Sequence, residues 1–237
     1  MRVIHEGTIT QMTFLPLFFQ VNCYFVEEEE GLTLIDAALP YSSKGIIETA
    51  NKIGKPITRI VLTHAHGDHV GALDALKRIL PNVQVYISKR DSRLLAGDCS
   101  LNETEPQLPI KGGVPKKIKT TPDVLLNDGD KIGSLVSIAV PGHTPGSMAF
   151  FDTRNGSMIA GDAIQIRGGI NVSGQYSLMF PFPALATWNK HAAVESAKKI
   201  REFQPSLLAV GHGDMLRNPM MELEQAIIKA ENNLMKR

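Results

Sequence analysis

One motif constrains this chain more than any other feature of its sequence. Residues 64–69 read His-Ala-His-Gly-Asp-His, which places three imidazoles and one carboxylate within a single tight turn. Imidazole and carboxylate are ligands that zinc and its first-row neighbours prefer in proteins. A solvated loop in which Asp68 caps a following helix is the simpler interpretation, and it suits a single histidine. Four ligand-type groups in one turn would repel and desolvate one another without a cation, so the motif predicts a metal site.

The motif lies at a predicted junction between a strand and a helix. The apolar run at residues 59–62 indicates a buried strand, and the amphipathic run at residues 70–80 indicates a helix. The metal motif would then follow the carboxyl end of a strand, which is where ligand sites in α/β sheets usually occur.

Composition argues against several classes of partner. The chain has 237 residues and a formal net charge of +1, so it lacks the basic balance of a protein that binds nucleic acid or an anionic membrane. No apolar run approaches the length of a transmembrane helix. We expect one domain over residues 1–237 acting on a small-molecule substrate, with the oligomeric state left open. Two cysteines are too few for a disulfide framework, which favours a cytoplasmic protein.

Strands and helices are predicted in an order that repeats, with strands first and helices after. The predicted strands occupy residues 2–17 (one or two strands), 21–26, 32–36, 59–62, 83–87, 124–126, 135–140, 147–152, 157–160 and 207–210. The predicted helices occupy residues 42–53, 70–80, 89–96, 188–203 and 219–235. Residues 127–130 predict a hairpin turn, and residues 97–122 predict a long surface excursion. This order predicts an α/β fold in which two sheets pack face to face with helices outside.

Three further ligand-type residues repeat the pattern of the first motif. His143, Asp162 and His212 each follow a predicted strand closely, and each has a glycine beside it. Glycine allows the backbone to turn sharply and to approach a site closely. Any one of the three is explained equally well as a turn residue. Together with the motif they place ligand-type side chains after four predicted strands, which favours one shared site.

These residues resemble the metallo-β-lactamase superfamily of metal-dependent hydrolases, and the resemblance covers essentially the whole chain. It implies a four-layer αβ/βα sandwich with mixed sheets and two zinc ions per chain at one edge between the sheets, with iron or manganese as possible replacements. It assigns His64, His66 and His143 to one metal, Asp68, His69 and His212 to the other, and Asp162 to a bridge between them. It also implies that Asp36 supports the motif from behind, although a strand-end turn residue is the alternative interpretation.

The resemblance implies a reaction as well as a metal site. A hydroxide held by the two metals would attack the substrate, and one metal would stabilise the developing oxyanion. Asp68 would orient the nucleophile and carry its proton to the leaving group, which makes it the expected catalytic residue.

The substrate pocket is expected to involve the irregular segment at residues 163–187. Its length and its position after Asp162 suit a pocket wall or lid, and a loop that merely covers the core is the alternative. Tyr176, Phe180 and Phe182 are its candidate pocket residues, and Tyr176 is a candidate donor to the oxyanion by resemblance to acyl-homoserine lactonases. Phe14, Phe18 and Phe19 are expected to form a second apolar wall of the pocket. The alternative is that these three side chains pack within the sheet.

This sequence differs from several known subfamilies, and the differences reduce the number of reactions to be expected. Class B β-lactamases generally lack the carboxylate at the position of Asp162, and few residues follow His212 for the C-terminal helical region of glyoxalase II enzymes. The resemblance then favours hydrolysis of an ester, thioester or lactone by a binuclear zinc enzyme. The alternatives are a mononuclear iron enzyme resembling persulfide dioxygenases and a non-catalytic metal-binding protein.

Overall fold

The first half of the chain builds a seven-stranded mixed sheet. The computed structural model describes residues 1–236. The strands follow one another in sequence order across the sheet, antiparallel from β1 to β4 and parallel from β4 to β7. They are β1 (Arg2–Glu6), β2 (Ile9–Phe14), β3 (Val21–Glu27), β4 (Leu32–Ile35), β5 (Ile57–Val61), β6 (Gln84–Ser88) and β7 (Val124–Leu126).

The second half builds a six-stranded sheet and a two-stranded ribbon. The larger sheet has the order β15-β14-β11-β10-β9-β8, and only its β11–β14 pair is parallel. Its strands are β8 (Lys131–Ile132), β9 (Leu135–Ala139), β10 (Met148–Asp152), β11 (Ser157–Ile159), β14 (Leu207–Ala209) and β15 (Leu216–Arg217), and the ribbon pairs β12 (Ile164–Gln165) with β13 (Asn171–Val172).

Seven α-helices accompany the sheets within the described part of the chain. They are α1 (Ser43–Ile53), α2 (Gly67–Val70), α3 (Leu73–Ile79), α4 (Asp91–Leu95), α5 (Phe182–Ala186), α6 (Lys190–Glu202) and α7 (Met220–Met235). Local signals set their limits, as at α1, which ends at Gly54 with a left-handed φ of 80°, and at α6, where the Asn189 side chain accepts hydrogen bonds from two backbone amides. No helix among residues 1–236 is long and apolar enough to cross a membrane.

Three apolar clusters show how these layers pack. One cluster joins the inner faces of the two sheets and includes Tyr24, Val61 and Phe150. A second lies between the first sheet and helices α1 and α3, and a third lies between the second sheet and helices α6 and α7. Burial of a leucine-sized side chain contributes about 1.5–3 kcal/mol, so each layer is held by many such contributions. The predicted sandwich of two mixed sheets with helices outside is confirmed.

The predicted hairpin at residues 127–130 is wrong. Strand β7 before this turn belongs to the first sheet, and β8 after it belongs to the second, so the turn connects the two sheets. Asp130 accepts a hydrogen bond from the backbone amide of Asn127, which closes the turn without pairing the strands beside it. The hairpin forms one step later, between β8 and β9 around Gly133, whose φ is 59°.

Residues 97–122 contain no helix or strand, as predicted, but they are more than a surface excursion. Ile110, Val114 and Ile118 pack partly buried against the first sheet's outer cluster. Glu105 accepts two hydrogen bonds from Arg90, and the Asp74 carboxylate accepts bonds from the backbone amides of residues 119 and 120. These hydrogen bonds tie the segment to α3 and to the start of α4.

Candidate metal centre

The ligand-type side chains lie where strands of the two sheets end beside each other. Residues 64–69 follow β5, residue 143 follows β9, residue 162 lies in a short 3-10 helix after β11, and residue 212 follows β14. Backbone hydrogen bonds join these ends directly, because Met148 donates to the carbonyl of Thr63 and Gly211 donates to that of Gly161. The first of these bonds ties the second sheet to the first at this edge, and the other joins two strand ends within the second sheet.

One group of possible ligands consists of three histidines. His64, His66 and His143 are buried, and their ligand atoms lie within 4.8 Å of one another. The closest approach is 2.9 Å, between Nδ1 of His66 and Nε2 of His143. The structure therefore brings together the three residues that the resemblance assigned to one metal.

A second group of possible ligands lies next to the first. Asp68, His69 and His212 also place their ligand atoms within 4.8 Å of one another. An Asp68 oxygen is 3.5 Å from Nε2 of His212 and 3.9 Å from Nε2 of His69. Both histidines are buried, whereas the Asp68 side chain is 25% exposed. Asp68 is thus the member of this group most open to a bound molecule.

Asp162 lies between the two groups. Its carboxylate oxygens are 3.3 Å from Nε2 of His143 in the first group, and 3.3 Å and 3.2 Å from Nε2 of His69 and His212 in the second. A carboxylate in this place can contact ions in both positions. The site thus gathers all seven ligand-type residues predicted from the sequence.

Buried polar atoms without partners test whether this site fits metal ions. Nε2 of His64 is buried and makes no hydrogen bond. Nε2 of His69 and Oδ1 of Asp162 are also buried, and they contact each other at 3.3 Å without forming a well-directed hydrogen bond. Leaving such an atom unpaired costs about 1–3 kcal/mol, and native proteins rarely tolerate several together. The three atoms converge, and imidazole and carboxylate are the donors that zinc and related cations prefer. The residues present therefore fit two adjacent divalent metal ions.

Every ligand imidazole has its other ring nitrogen engaged outside the site. The partners are the Thr63 hydroxyl for His64, the Lys111 carbonyl for His66, the Asp36 carboxylate for His69, the Ser173 hydroxyl for His143 and the Gln20 carbonyl for His212. A carbonyl or carboxylate accepts a hydrogen bond, so the facing nitrogen carries a proton and the inward nitrogen is the one left to bind a metal. Such partners orient metal-binding histidines and raise their basicity.

The electrostatic environments of the two groups differ. Burial lowers the pKa of His64 well below its ordinary value, and burial likewise lowers the pKa of His143 to about 3. Burial also opposes protonation of His69 and His212, but there the neighbouring carboxylates of Asp162 and Asp68, joined at His69 by Asp36, together outweigh burial and raise the pKa of both. The three-histidine group is therefore neutral and ready to bind a cation, whereas the second group releases protons when a cation binds.

Asp36 lies behind the motif, as the resemblance implied. Its carboxylate accepts hydrogen bonds of 2.8 Å from the amide and from the hydroxyl of Thr63, and another of 2.8 Å from Nδ1 of His69. Its φ of 63° is unusual for a residue other than glycine, and such strain persists only where surrounding contacts maintain it. Asp36 holds the start of the motif and the ring of His69 in fixed positions.

Asp91 is a supporting residue that the sequence did not reveal. Its carboxylate is fully buried and accepts hydrogen bonds from the Ala65 amide at 3.0 Å, the Thr144 hydroxyl at 2.7 Å and the Gly146 amide at 2.8 Å. It therefore joins the motif to the loop that carries His143. No local signal marks this role, because an aspartate at the start of a helix is ordinary in sequence.

Residues 111–113 were also missed as part of the site. The Lys111 carbonyl contacts His66, and Gly112 lies so close that an added Cβ would be 2.4 Å from the His66 ring. Gly112 has a φ of 87°, so both backbone conformation and space require glycine there. The glycine pair at 112 and 113 was visible in the sequence, but nothing local connected it with the histidines.

A pocket of about 320 Å³ opens over the metal centre. It is lined on one side by site residues and Gly112 and Gly113, and on the other by an apolar wall consisting of Phe19, Phe182, Pro183, Leu185 and Ala186. This size lies at the lower end of the range for small-molecule sites.

The predicted pocket residues occupy different places. Phe182 lines the pocket, whereas Phe180 is buried behind it with its ring 5.0 Å from that of His212. Tyr176 is 61% exposed and lines a separate depression beside Lys190, so the structure does not bring it into the metal pocket. Of the second predicted wall, Phe19 lines the pocket, Phe14 packs in the core and Phe18 is exposed.

Comparisons with known proteins agree with this arrangement. YobT of Bacillus subtilis (strain 168), an uncharacterized protein, is 60% identical over 231 residues that cover 98% of this chain and 99% of YobT. YflN of the same organism, a probable metallo-hydrolase, is 29% identical over 214 residues that cover 81% of this chain and 80% of YflN. The solved structure of TTHA1623 in a di-iron-bound form is 28% identical, with a TM-score of 0.64 and coverage of 89% of this chain and 95% of that one.

A family model matches most of the chain as well. It is described as the metallo-beta-lactamase superfamily and spans residues 16–212, from the turn before β3 to the last histidine of the site. With this match, the two-sheet sandwich and the gathered ligand residues, the chain belongs to the metallo-β-lactamase superfamily.

Proposed function

We propose that this protein is a binuclear zinc hydrolase of small acyl substrates, that is, of esters, thioesters or lactones. The observation that carries the proposal is the complete second ligand group beside the three histidines, with Asp162 in contact with both groups. A mononuclear enzyme needs only the first group and has no need of a second set of ligand-type side chains beside it. The related di-iron structure leaves the choice among zinc, iron and manganese to measurement.

Metal ions held by the two ligand groups would activate a water molecule near neutral pH and would stabilise negative charge on the substrate oxygen. The chain's own residues determine where this chemistry happens. Asp68 lines the pocket and is partly exposed, so its carboxylate can accept a hydrogen bond from the attacking nucleophile and orient it. The same carboxylate can then take the proton and deliver it to the leaving group.

The walls of the pocket favour a small molecule over a macromolecule. A cavity of about 320 Å³ between an apolar wall and the ligand groups suits one acyl group presented to the nucleophile. Both cysteines are free, with Cys23 buried and Cys99 exposed, which supports placing the protein in the reducing cytoplasm.

The proposal is tested by metal analysis of protein purified without added metal, followed by a panel of esters, thioesters and lactones. We expect two metal ions per chain, turnover of some panel members, and loss of turnover on chelation. Asp68→Asn should lower kcat by at least about a hundredfold, as expected for a lost proton carrier. Asp130→Asn changes a half-buried carboxylate in the turn between the sheets, and this matched control should keep full activity.

Two outcomes would contradict the proposal. One iron per chain with thiol-dependent oxygen consumption would identify a mononuclear dioxygenase instead. Two metals with no turnover of any panel member would identify a metal-binding protein without this hydrolase activity. An Asp68→Asn variant that kept both metals and full turnover would remove the proton-carrying role from that residue alone.

A further inference from the structure

The apolar wall of the metal pocket continues outward onto the surface. Two segments form it, which we call the 15–19 turn and the 176–186 segment. They contain six large apolar residues that are strongly exposed, namely Leu17 at 80%, Phe18 at 81%, Leu178 at 88%, Met179 at 75%, Phe182 at 52% and Leu185 at 66%. A contiguous exposed apolar surface of this kind usually marks a binding site.

Direct ring contacts connect this surface with the metal centre. Phe19 of the turn lies 5.2 Å from Phe180 and 5.1 Å from Phe182 of the segment, measured between ring centroids. Phe19 and Phe180 also contact the ring of His212, at 5.3 Å and 5.0 Å. These ring contacts connect the wall with a metal ligand, and the most exposed apolar residues lie in the same two segments as the rings.

The pocket offers nothing to bind a distant negative charge on a substrate. Among residues 1–236, no lysine or arginine lines it. A cation outside the pocket, Arg167, lies 5.5 Å over the Phe180 ring and donates a hydrogen bond to the Leu17 carbonyl. Arg167 thus joins the two segments from behind. A substrate with carboxylates beyond its reacting bond would lose water contacts there without gaining an ionic partner.

We propose that the substrate is an uncharged ester or lactone with a linear apolar acyl chain. The carbonyl would lie at the metal centre, and the chain would run along the wall formed by Phe19, Phe182 and Leu185 towards the exposed residues of the two segments. This inference rests on the proposed hydrolase function and narrows its substrate class. Continuity between the wall and a metal ligand favours a substrate chain as occupant over a second copy of the protein or a membrane surface.

The test is a series of p-nitrophenyl esters from acetate to decanoate with zinc-loaded protein. We expect kcat/KM to rise about twofold to fourfold for each added methylene, since full burial of one methylene corresponds to about fourfold. Leu185→Ser should lower the ratio of octanoate to acetate activity about tenfold. Leu125→Ser, an equally simple change at an exposed leucine of β7, is the matched control and should keep the wild-type ratio.

A binding experiment on the metal-free protein separates this inference from the proposed function. By calorimetry, the neutral and non-hydrolysable ketone 2-decanone should bind much more tightly than 2-butanone, and Leu185→Ser should weaken its binding. Failure to cleave any ester, thioester or lactone would overturn the hydrolase proposal, while ketone binding would still support the apolar-chain site. Equal activity on acetate and octanoate, with no preference between the ketones, would overturn the site and leave the hydrolase proposal intact.

Two further results would assign the surface to another occupant. A wild-type dimer that Leu185→Ser converts to a monomer, with unchanged chain-length preference, would make the surface an interface between copies. Sedimentation of the wild-type protein with phosphatidylcholine vesicles, abolished by Leu185→Ser and again without a change in preference, would make it a membrane contact. Either result would overturn the proposal.

Discussion

Replacing Asp91 with asparagine should damage stability and metal binding together. Its carboxylate accepts a hydrogen bond from Ala65, inside the motif, and another from Gly146, in the loop after His143. Among residues 1–236, no other side chain bonds to both of these amides. In Asp91→Asn the amide nitrogen must face one of these donors, because the side chain has one acceptor oxygen left. At least one buried N–H group then loses its partner, and the bonds that remain lose the help of a negative charge.

The size of the loss in stability follows from the three hydrogen bonds that the Asp91 carboxylate accepts, from Ala65, Thr144 and Gly146. A bond to a charged group contributes about 1.5–3 kcal/mol, and an unpaired buried donor costs about 1–3 kcal/mol. Burial raises the pKa of Asp91, so neutralising the side chain recovers part of this loss. We expect a net loss of about 2–4 kcal/mol in the free energy of unfolding. Loosened ligand loops should also weaken metal binding about 10- to 100-fold, as for other residues that orient ligands.

The assay combines urea unfolding with metal titration, and Asp74→Asn is the matched control. Asp74 also accepts several hydrogen bonds, but from Lys119 and Thr120 in the segment at residues 97–122, away from both ligand loops. Asp74→Asn should lower the unfolding free energy and leave metal affinity within about threefold of wild type. Unchanged metal affinity in folded Asp91→Asn, or an equal loss in both variants, would refute the reasoning that Asp91 aligns the ligands.

Three other substitutions test single features of the site. Gly112→Ala should lower metal affinity at least about tenfold, because its Cβ would meet the His66 ring at 2.4 Å, whereas Gly113→Ala has open space and should bind metal normally in the same titration. Tyr24→Phe removes a buried hydroxyl that bonds to both the carbonyl and the amide of residue 210, and should cost about 1–3 kcal/mol in urea unfolding. Tyr176→Phe should change kcat/KM less than twofold, and a loss of tenfold or more would return this residue to the pocket.

The ligand positions could be predicted because their signals are local. Each ligand follows a strand that short apolar runs identify, and glycines beside His143, Asp162 and His212 indicate sharp turns. The ends of strands in a sandwich meet at one edge, so ligand-type residues at several strand ends predict a common site without any knowledge of side-chain contacts. The same local reasoning failed at residues 127–130, because a turn sequence does not reveal to which sheet the next strand belongs.

The supporting residues could not be predicted because their signals are not local. Asp91 is 26 residues from one hydrogen-bond partner and 55 from another, and neither end of these contacts has an unusual sequence. Lys111 contacts His66 through a backbone carbonyl, so its side chain carries no information about that contact. For Tyr176 the sequence suggested a role that the structure does not show. This aromatic residue lies in the segment expected to form the pocket, but in the folded chain it lines a separate depression.

The contacts of the ligands indicate why metal affinity should depend on the alignment of the two sheets. His69 is oriented by Asp36 at the end of β4, whereas His143 is oriented by Ser173 after β13 in the other half of the chain. His212 crosses this division, because it follows β14 of the second sheet and bonds to the carbonyl of Gln20 before β3 of the first. A small shift between the sheets would therefore move lone pairs out of convergence without breaking any strand. The bonds across this edge act on function through geometry, and their loss should affect metal binding before it affects the fold.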